Sequence, residues 1–168
     1  MEITLKGKRV FISGAATGIG RATALSMHKL GAEVIICDID EEKLQDMEEE
    51  IKTFACDVSD STEVDTMFQQ IENYGLDILV NNAGIAGPTK LIENITDDDW
   101  RDCMAVCIDS QFYCTRRAVP IFKQQQNGVI INLISGAGIM GYPLKKPIRC
   151  SKMGSNRSYK IFSHGTGP

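Results

Sequence analysis

The feature that most restricts the fold of this chain is a regular alternation of short apolar runs with longer segments of helical periodicity. The apolar runs are Val10–Ser13, Glu33–Cys37, Thr53–Cys56, Ile78–Val80 and Val129–Leu133. Most of them are continuously hydrophobic, which is typical of strands that helices cover on both faces. The alternation therefore indicates βαβ units, in which successive strands are parallel.

Four segments between the runs carry a helical pattern. We predict helices over Gly20–Leu30, Glu41–Ile51, Ser61–Asn73 and about Asp98–Lys123. Strands that alternate with helices in this way build a doubly wound sheet with helices on both faces. The predicted fold class is therefore α/β, with a Rossmann-like parallel sheet that is incomplete at its C-terminal edge.

Two of these helices have a distinct apolar face. The stripe predicted for the third helix is Val64, Met67, Phe68 and Ile71, which follow the three-and-four spacing of one face. The face predicted for the fourth helix is Trp100, Cys103, Met104, Cys107 and Ile108. Thr96 is the predicted N-cap of the fourth helix, because acidic residues follow it and suit the positive end of the helix dipole.

Composition excludes several classes of protein. The formal net charge is −4 at pH 7, so no basic surface is available to recruit nucleic acid or acidic lipid. No apolar run approaches the roughly 20 residues that span a bilayer, and the polar start does not resemble a signal peptide. We expect a cytoplasmic protein that binds neither nucleic acid nor membrane.

The six cysteines form no Cys-x-x-Cys pair, and the chain has only two histidines. A structural metal site normally needs closely spaced thiolate or imidazole ligands. A buried thiol otherwise behaves as a small hydrophobic group. We therefore expect core cysteines and no metal site, with a metal or redox role as the weaker alternative.

A glycine-rich turn, Ser13 to Gly20, lies between the first predicted strand and the first predicted helix. Such a turn lets backbone N–H groups approach a pyrophosphate at the helix N-terminus, although glycines also serve ordinary turns. Asp38 ends the second strand eighteen residues after Gly20, close to the spacing of a ribose-binding carboxylate. Opposite a 2′-phosphate this carboxylate would cost about 4 kcal/mol at an effective dielectric near 20. The cofactor predicted from these residues is NAD(H).

Four motifs in order resemble the short-chain dehydrogenase/reductase family, from about Leu5 to Pro147. They are Gly14-x-x-x-Gly18-x-Gly20, Cys56-Asp57-Val58, Asn81-Asn82-Ala83-Gly84 and Asn132-Leu133-Ile134-Ser135. The resemblance implies hydride transfer between nicotinamide and the carbon of a small-molecule alcohol or carbonyl compound. It implies catalytic roles for Ser135 and Lys152, and a homodimeric or tetrameric parent protein. The cofactor-binding residues it implies are Gly14, Thr17, Gly18, Ile19, Asp38, Asp57, Val58, Asn82, Ala83, Gly84 and Lys152.

Two positions depart from the family pattern. The family has a proton-carrying tyrosine four residues before its lysine, and Ile148 stands in that place. The family's helical asparagine, which supports a water chain, is replaced by Cys107. A thiol is a weak hydrogen-bond donor, and an isoleucine side chain has no proton to give. We therefore predict that the chain with Ile148 is inactive or severely impaired.

The sequence divides into an NAD(H)-binding region, 1–147, and an aberrant tail, 148–168, where the apolar period is lost. A back-translation of the tail that drops one base at the codon of Ile148 gives a tyrosine four residues before Lys152, followed by an amphipathic helix. We expect an oxidoreductase recorded out of frame and truncated. The alternatives are a real product that binds NAD(H) or a partner without catalysis, and a fragment without function.

Overall fold

The computed structural model describes residues 3–136, 144, 147–148 and 150–151. The strands are β1 (Arg9–Ser13), β2 (Glu33–Asp38), β3 (Lys52–Ala55), β4 (Ile78–Asn81) and β5 (Val129–Asn132). The helices are α1 (Gly18–Lys29), α2 (Glu41–Gln45), α3 (Ser61–Tyr74), α4 (Asp97–Met104) and α5 (Ser110–Gln125). A 3₁₀ turn at Ile92–Asn94 precedes α4, and a π-helical turn at Ala105–Asp109 joins α4 to α5.

All five strands are parallel, and their order across the sheet is β3-β2-β1-β4-β5. The chain winds outward from β1 to β3, then returns to pair β4 with the other side of β1. The order therefore reverses between β1 and β4. The carboxyl ends of strands at such a switch point are the usual place for a ligand in open α/β sheets.

Helices cover both faces of the sheet, so the predicted doubly wound α/β fold is confirmed. On β1, Phe11 faces a core formed with α3 and α5, while Val10 and Ile12 face a second core formed with α1 and α2. All three side chains are fully buried. The predicted stripe of α3 is buried too, and Phe68 packs edge-on against Phe11 with ring centroids 5.4 Å apart.

The predicted helix over Glu41–Ile51 is too long. Helix α2 ends at Gln45, although Met47 and Ile51 still bury their side chains. A longer helix would place the carboxylates of residues 48–50 at its negative end, which the helix dipole disfavours. The apolar spacing of this segment reflects burial without helical hydrogen bonding.

The predicted single helix over Asp98–Lys123 is interrupted by the π-helical turn. Its start is correct: Thr96 Oγ1 accepts from the N–H of Asp99, and the Asp99 carboxylate accepts from the N–H of Thr96, each at 3.0 Å. The predicted shared face is partly wrong. Cys103 and Cys107 are fully buried, whereas Trp100 is 38% exposed. Trp100 lies in the first turn of α4, before the π-turn, so its exposure is a property of the start of the helix and not of the interruption.

No helix in the described part of the chain is long and apolar enough to cross a membrane.

Asp77 joins the amino ends of β1 and β4. Its carboxylate accepts from the N–H of Arg9 at 3.0 Å, from Arg9 Nε at 3.1 Å and from Lys8 Nζ at 3.4 Å. Burial by itself raises the pKa of Asp77, but the hydrogen bonds and charge of Arg9 and the charge of Lys8 hold it below its usual value. The ionised carboxylate therefore stabilises the folded state.

We expect Asp77→Asn to lower the free energy of unfolding by about 1–3 kcal/mol at neutral pH, because a partly buried charged hydrogen-bond network is broken. Since the folded pKa is depressed, this contribution is present above the unfolded pKa and is lost as pH falls through the folded value. Urea unfolding between pH 7 and pH 3 should show the difference from wild type shrinking with acid. Asp98→Asn, at a side chain 89% exposed, is the matched control. A difference that persists at low pH would contradict this role.

Candidate nucleotide-binding site

A cavity of about 500 Å³ opens at the carboxyl ends of β1 to β4, around the switch point. Its size lies within the range of small-molecule and cofactor pockets. It is lined by Gly14, Thr17, Ile19, Asp38, Ile39, Cys56, Asp57, Val58, Asn82, Ala83, Gly84, Ile85 and Val106. Three of the four sequence motifs thus meet at one cavity, although the first, Gly14 to Gly20, and the third, Asn81 to Gly84, lie about sixty residues apart in the chain.

The glycine turn brings β1 directly into the N-terminus of α1. Gly14 has a φ of +62°, and a Cβ there would lie 2.8 Å from the Cα of Ala83, so a side chain does not fit. Thr17 is the N-cap residue but makes no side-chain cap bond, and the first turn contains no acidic residue. The N-cap side chain therefore does not occupy the first N–H groups of α1, and these groups are available to bind an anion. Gly18 begins α1 and does not itself line the cavity.

Asp38 is fixed at the end of β2 by two backbone groups. One carboxylate oxygen accepts from the N–H of Ala16 at 3.0 Å, and the other accepts from the N–H of Asp40 at 3.2 Å. The first bond ties the acid to the glycine turn. The half-buried carboxylate thereby lines the cavity in one orientation.

No lysine, arginine or histidine is among the described residues that line the cavity. Two cations, Arg21 in α1 and Lys43 in α2, lie on the helices that adjoin the glycine turn and Asp38, and both have other partners. Lys43 pairs with Asp40, and this hydrogen bond raises the pKa of Lys43 and lowers the pKa of Asp40. Arg21 donates from Nη2 to the carbonyl oxygen of Asp46 at 3.3 Å. The Asp38 end of the cavity is therefore acidic.

Asn82 joins the ends of β4 and β1 across the switch point. Its Nδ2 donates to the carbonyl oxygens of Ser13 at 3.0 Å and Gly14 at 2.7 Å. In return, the Ser13 hydroxyl accepts from the N–H groups of Asn82 and Ala83, at 3.1 and 3.2 Å. These bonds connect the carboxyl ends of β1 and β4 at the cavity. The part played by Ser13 was missed from the sequence, since a serine in a glycine turn carries no distinctive signal.

Four further lining residues were also missed: Ile39, Cys56, Ile85 and Val106. The first three are chain neighbours of predicted residues, so adjacency to a motif would have found them. Val106 lies in the π-helical turn, more than twenty residues along the chain from Ile85, the lining residue nearest to it in sequence. No local pattern indicates that position.

Of the two predicted catalytic residues, the structure describes one. Ser135 follows β5 and is half-buried, but it is not among the residues that line the 500 Å³ cavity. Lys152 lies outside the described residues. Ile148 is half-buried, and its carbonyl oxygen accepts from the fully buried Ser151 hydroxyl at 3.0 Å.

Cys107 has a definite structural partner. Its Sγ lies 3.3 Å from the backbone nitrogen of Ile85 and 3.4 Å from its carbonyl oxygen, in the loop that continues from Gly84 along the cavity. Gln111 Nε2 donates to the carbonyl oxygen of Cys107 at 3.1 Å. The thiol thus links the π-helical turn to the loop after β4.

The prediction of core cysteines is confirmed for Cys37, Cys56, Cys103, Cys107 and Cys114, whereas Cys150 is exposed. Burial raises the pKa of the Cys114 thiol, which suits a core group. One group of potential metal ligands was not anticipated: His28, Glu48 and Glu50 place one ligand atom each within 4.8 Å of one another. Both glutamates are exposed, and His28 Nε2 lies 3.8 Å from Glu48. None of the three lines the cavity.

A doubly wound parallel sheet with a glycine turn after its first strand and an acidic residue at the end of its second strand is typical of dinucleotide-binding folds. Residues 8–164 match the short chain dehydrogenase family. The chain belongs to that family.

Two curated relatives are named for different substrates. A 3beta-hydroxysteroid dehydrogenase of Mediterraneibacter gnavus is 39% identical over 145 residues, which are 81% of this chain and 52% of the relative. A 3-oxoacyl-acyl-carrier-protein reductase of Thermotoga maritima is 35% identical over 159 residues, or 89% of this chain and 64% of the relative. The chain thus spans between half and two thirds of the length of these two relatives.

Among solved structures, a metagenomic short-chain oxidoreductase in complex with NADP is similar with a TM-score of 0.89 and 28% sequence identity. The match covers 94% of this chain and 76% of that one. This neighbour was solved with NADP, so the family likeness does not by itself select between the two nicotinamide cofactors.

Proposed function

We propose that this chain binds NAD(H) in the cavity at the switch point, as the cofactor-binding part of an oxidoreductase that acts on a small-molecule alcohol or carbonyl compound. The observation that carries the proposal is the Asp38 carboxylate, which the N–H of Ala16 holds at the cavity edge, with no cation among the described residues that line the cavity. A carboxylate in that position accepts hydrogen bonds from a ribose diol and repels a 2′-phosphate.

The residues present fit a dinucleotide. The uncapped N-terminal N–H groups of α1, beside Gly14 and Thr17, would hold the pyrophosphate. Asp57 and Val58 would contact the adenine, and Asn82 with Ala83 would pass beside the nicotinamide half. When bound, the nicotinamide supplies or accepts the hydride. The residues of the chain bind and orient the cofactor, shield it from water, and transfer the hydroxyl proton of the substrate.

Proton transfer to or from the substrate is the step at which this chain differs from its family. Ser135 would hydrogen-bond the substrate oxygen, and Lys152 would supply a positive charge. The residue four before Lys152 is Ile148, whose side chain can neither take nor give a proton. We therefore propose that the chain with Ile148 binds NAD(H) without useful turnover, and that the activity belongs to the protein with its reading frame restored.

Binding is tested with the 168-residue chain and two variants of Thr17, an exposed residue at the cavity mouth. Thr17→Glu adds a negative charge beside the expected pyrophosphate, where like charges 4 Å apart cost about 4 kcal/mol at an effective dielectric near 20 and less as salt screens them. We expect wild type to bind NADH, Thr17→Glu to bind about 10- to 100-fold more weakly, and Thr17→Gln to stay within about 3-fold of wild type. Titration calorimetry measures all three affinities.

Thr17→Gln is the matched control, because it adds the same bulk as glutamate without the charge. Failure of the folded wild-type chain to bind NADH would contradict the proposal. If Thr17→Glu bound NADH as tightly as wild type, the pyrophosphate would not bind at the N-terminus of α1.

A further inference from the structure

Glu63 lies in the first turn of α3 and is exposed, and it does not line the cavity. Its Oε2 nevertheless accepts a 2.8 Å hydrogen bond from the backbone N–H of Asp57, the first residue of the turn between β3 and α3. Asp57 and Val58 both line the cavity. An exposed carboxylate on a helix is thus connected through one hydrogen bond to the wall of the binding site.

The other polar groups of Asp57 are occupied within the same turn. Its carbonyl oxygen accepts from the N–H of Asp60 at 3.0 Å. Its Oδ1 accepts from both the N–H and the hydroxyl of Ser59, at 2.9 and 2.7 Å. With Oδ1 accepting two donors, Oδ2 is the oxygen available to a ligand. Its direction is set by the two bonds from Ser59 to Oδ1 together with the position of the Asp57 backbone, whose N–H is held by Glu63.

The N-terminus of α3 has a separate cap. Asp60 Oδ1 accepts from the N–H of Thr62 at 2.7 Å and from the N–H of Glu63 at 3.3 Å. Because these bonds use the Asp60 side chain, they persist when the Glu63 side chain is changed. The bond from Glu63 to Asp57 is therefore not needed to begin the helix, and its specific effect falls on the turn.

We propose that Glu63 is a positioning residue for the adenine end of the nucleotide: it fixes the Asp57 turn so that Oδ2 can accept a hydrogen bond from an exocyclic amine. The proposal rests on the proposed function, since it presupposes a dinucleotide in the cavity. It assigns part of the specificity for the base to Glu63, a residue that contacts neither cofactor nor substrate. The ligand chemistry selected is a purine that carries an amino group.

The test compares NADH with its deamino analogue, in which hypoxanthine replaces adenine and the exocyclic amine is absent. The ratio of the two dissociation constants measures recognition of the amine. In Glu63→Ala we expect the preference for NADH to fall by about 3- to 10-fold, the range of one hydrogen bond. Glu63→Gln keeps an acceptor oxygen and should retain the preference. Glu72→Ala, at an exposed glutamate near the other end of α3, is the matched control.

A merely structural loss would weaken both ligands equally and leave the ratio unchanged, and that result in Glu63→Ala would overturn the proposal. So would a wild-type chain that binds NADH but shows no preference for it over the deamino analogue. Failure of the folded wild-type chain to bind NADH would instead reject the proposed function. Amide hydrogen exchange gives a second readout without any nucleotide: the Asp57 N–H should exchange faster in Glu63→Ala, or in Glu63→Ser should the alanine variant not fold. Unchanged exchange would also overturn the proposal.

Discussion

The 168-residue chain is expected to bind NADH and yet show turnover at least about 100-fold below that of the same chain with its reading frame restored. General acid–base groups contribute about 10²- to 10⁴-fold to a rate, and Ile148 stands where the proton carrier belongs. The repaired version deletes one base at the codon of Ile148 and supplies the downstream frame. Assays follow NADH absorbance with a panel of secondary alcohols and ketones, on proteins whose intact mass has been measured.

Two variants of the repaired protein sharpen this result. Ser135→Ala should return turnover towards background, because the hydroxyl that holds the substrate oxygen is lost. Cys107→Asn should raise turnover further, since a carboxamide hydrogen-bonds more strongly than a thiol. Robust turnover by the unrepaired chain of confirmed mass would refute the role given to position 148. No gain on repair would refute the frame-shift interpretation.

Cofactor preference should change with Asp38. We expect Asp38→Ala to weaken NADH binding by about 10- to 100-fold, the value of a hydrogen bond to a charged group. Binding of NADPH should change much less, or improve, because the repulsion between the carboxylate and the 2′-phosphate is removed. The measured quantity is the ratio of the two dissociation constants in titration calorimetry.

Glu41→Ala is the control for the Asp38 experiment. It removes the same charge from an exposed residue of α2 that does not line the cavity. A ratio that changes equally in both variants would mean that net charge, and not ribose recognition, sets the preference. An unchanged ratio in Asp38→Ala would show that the role given to this carboxylate is wrong.

The predicted strands match the observed ones to within about one residue at each end. The central strands β1, β2 and β4 are mostly buried, whereas the edge strands β3 and β5 are only partly buried. The glycine turn, Asp38 and the Asp57–Val58 pair were predicted to lie together, and residues of all three line one cavity. Each of these follows a strand directly, and parallel strands bring their carboxyl ends to one edge. The order of elements along the chain was therefore enough to predict their convergence.

Other features of the site depend on contacts between distant segments. The Ser13 hydroxyl acts as a double acceptor only because β4 lies beside β1. Val106 lines the cavity and Cys107 contacts Ile85 from the π-helical turn between α4 and α5, which is distant in sequence from β4. The bond from Glu63 to Asp57 crosses a turn whose residues have no periodicity to interpret.

What the sequence determined by itself is the class of fold, the presence of a carboxylate at the end of the second strand and the lack of a titratable side chain at position 148. These follow from local properties: the period of the apolar residues, the conformational freedom of glycine, and the identity of single side chains. Only the tertiary structure decided which backbone groups each polar side chain engages. A hydrogen bond requires two groups within about 3 Å of each other, and that distance is set by how the sheet and helices pack and not by either residue alone.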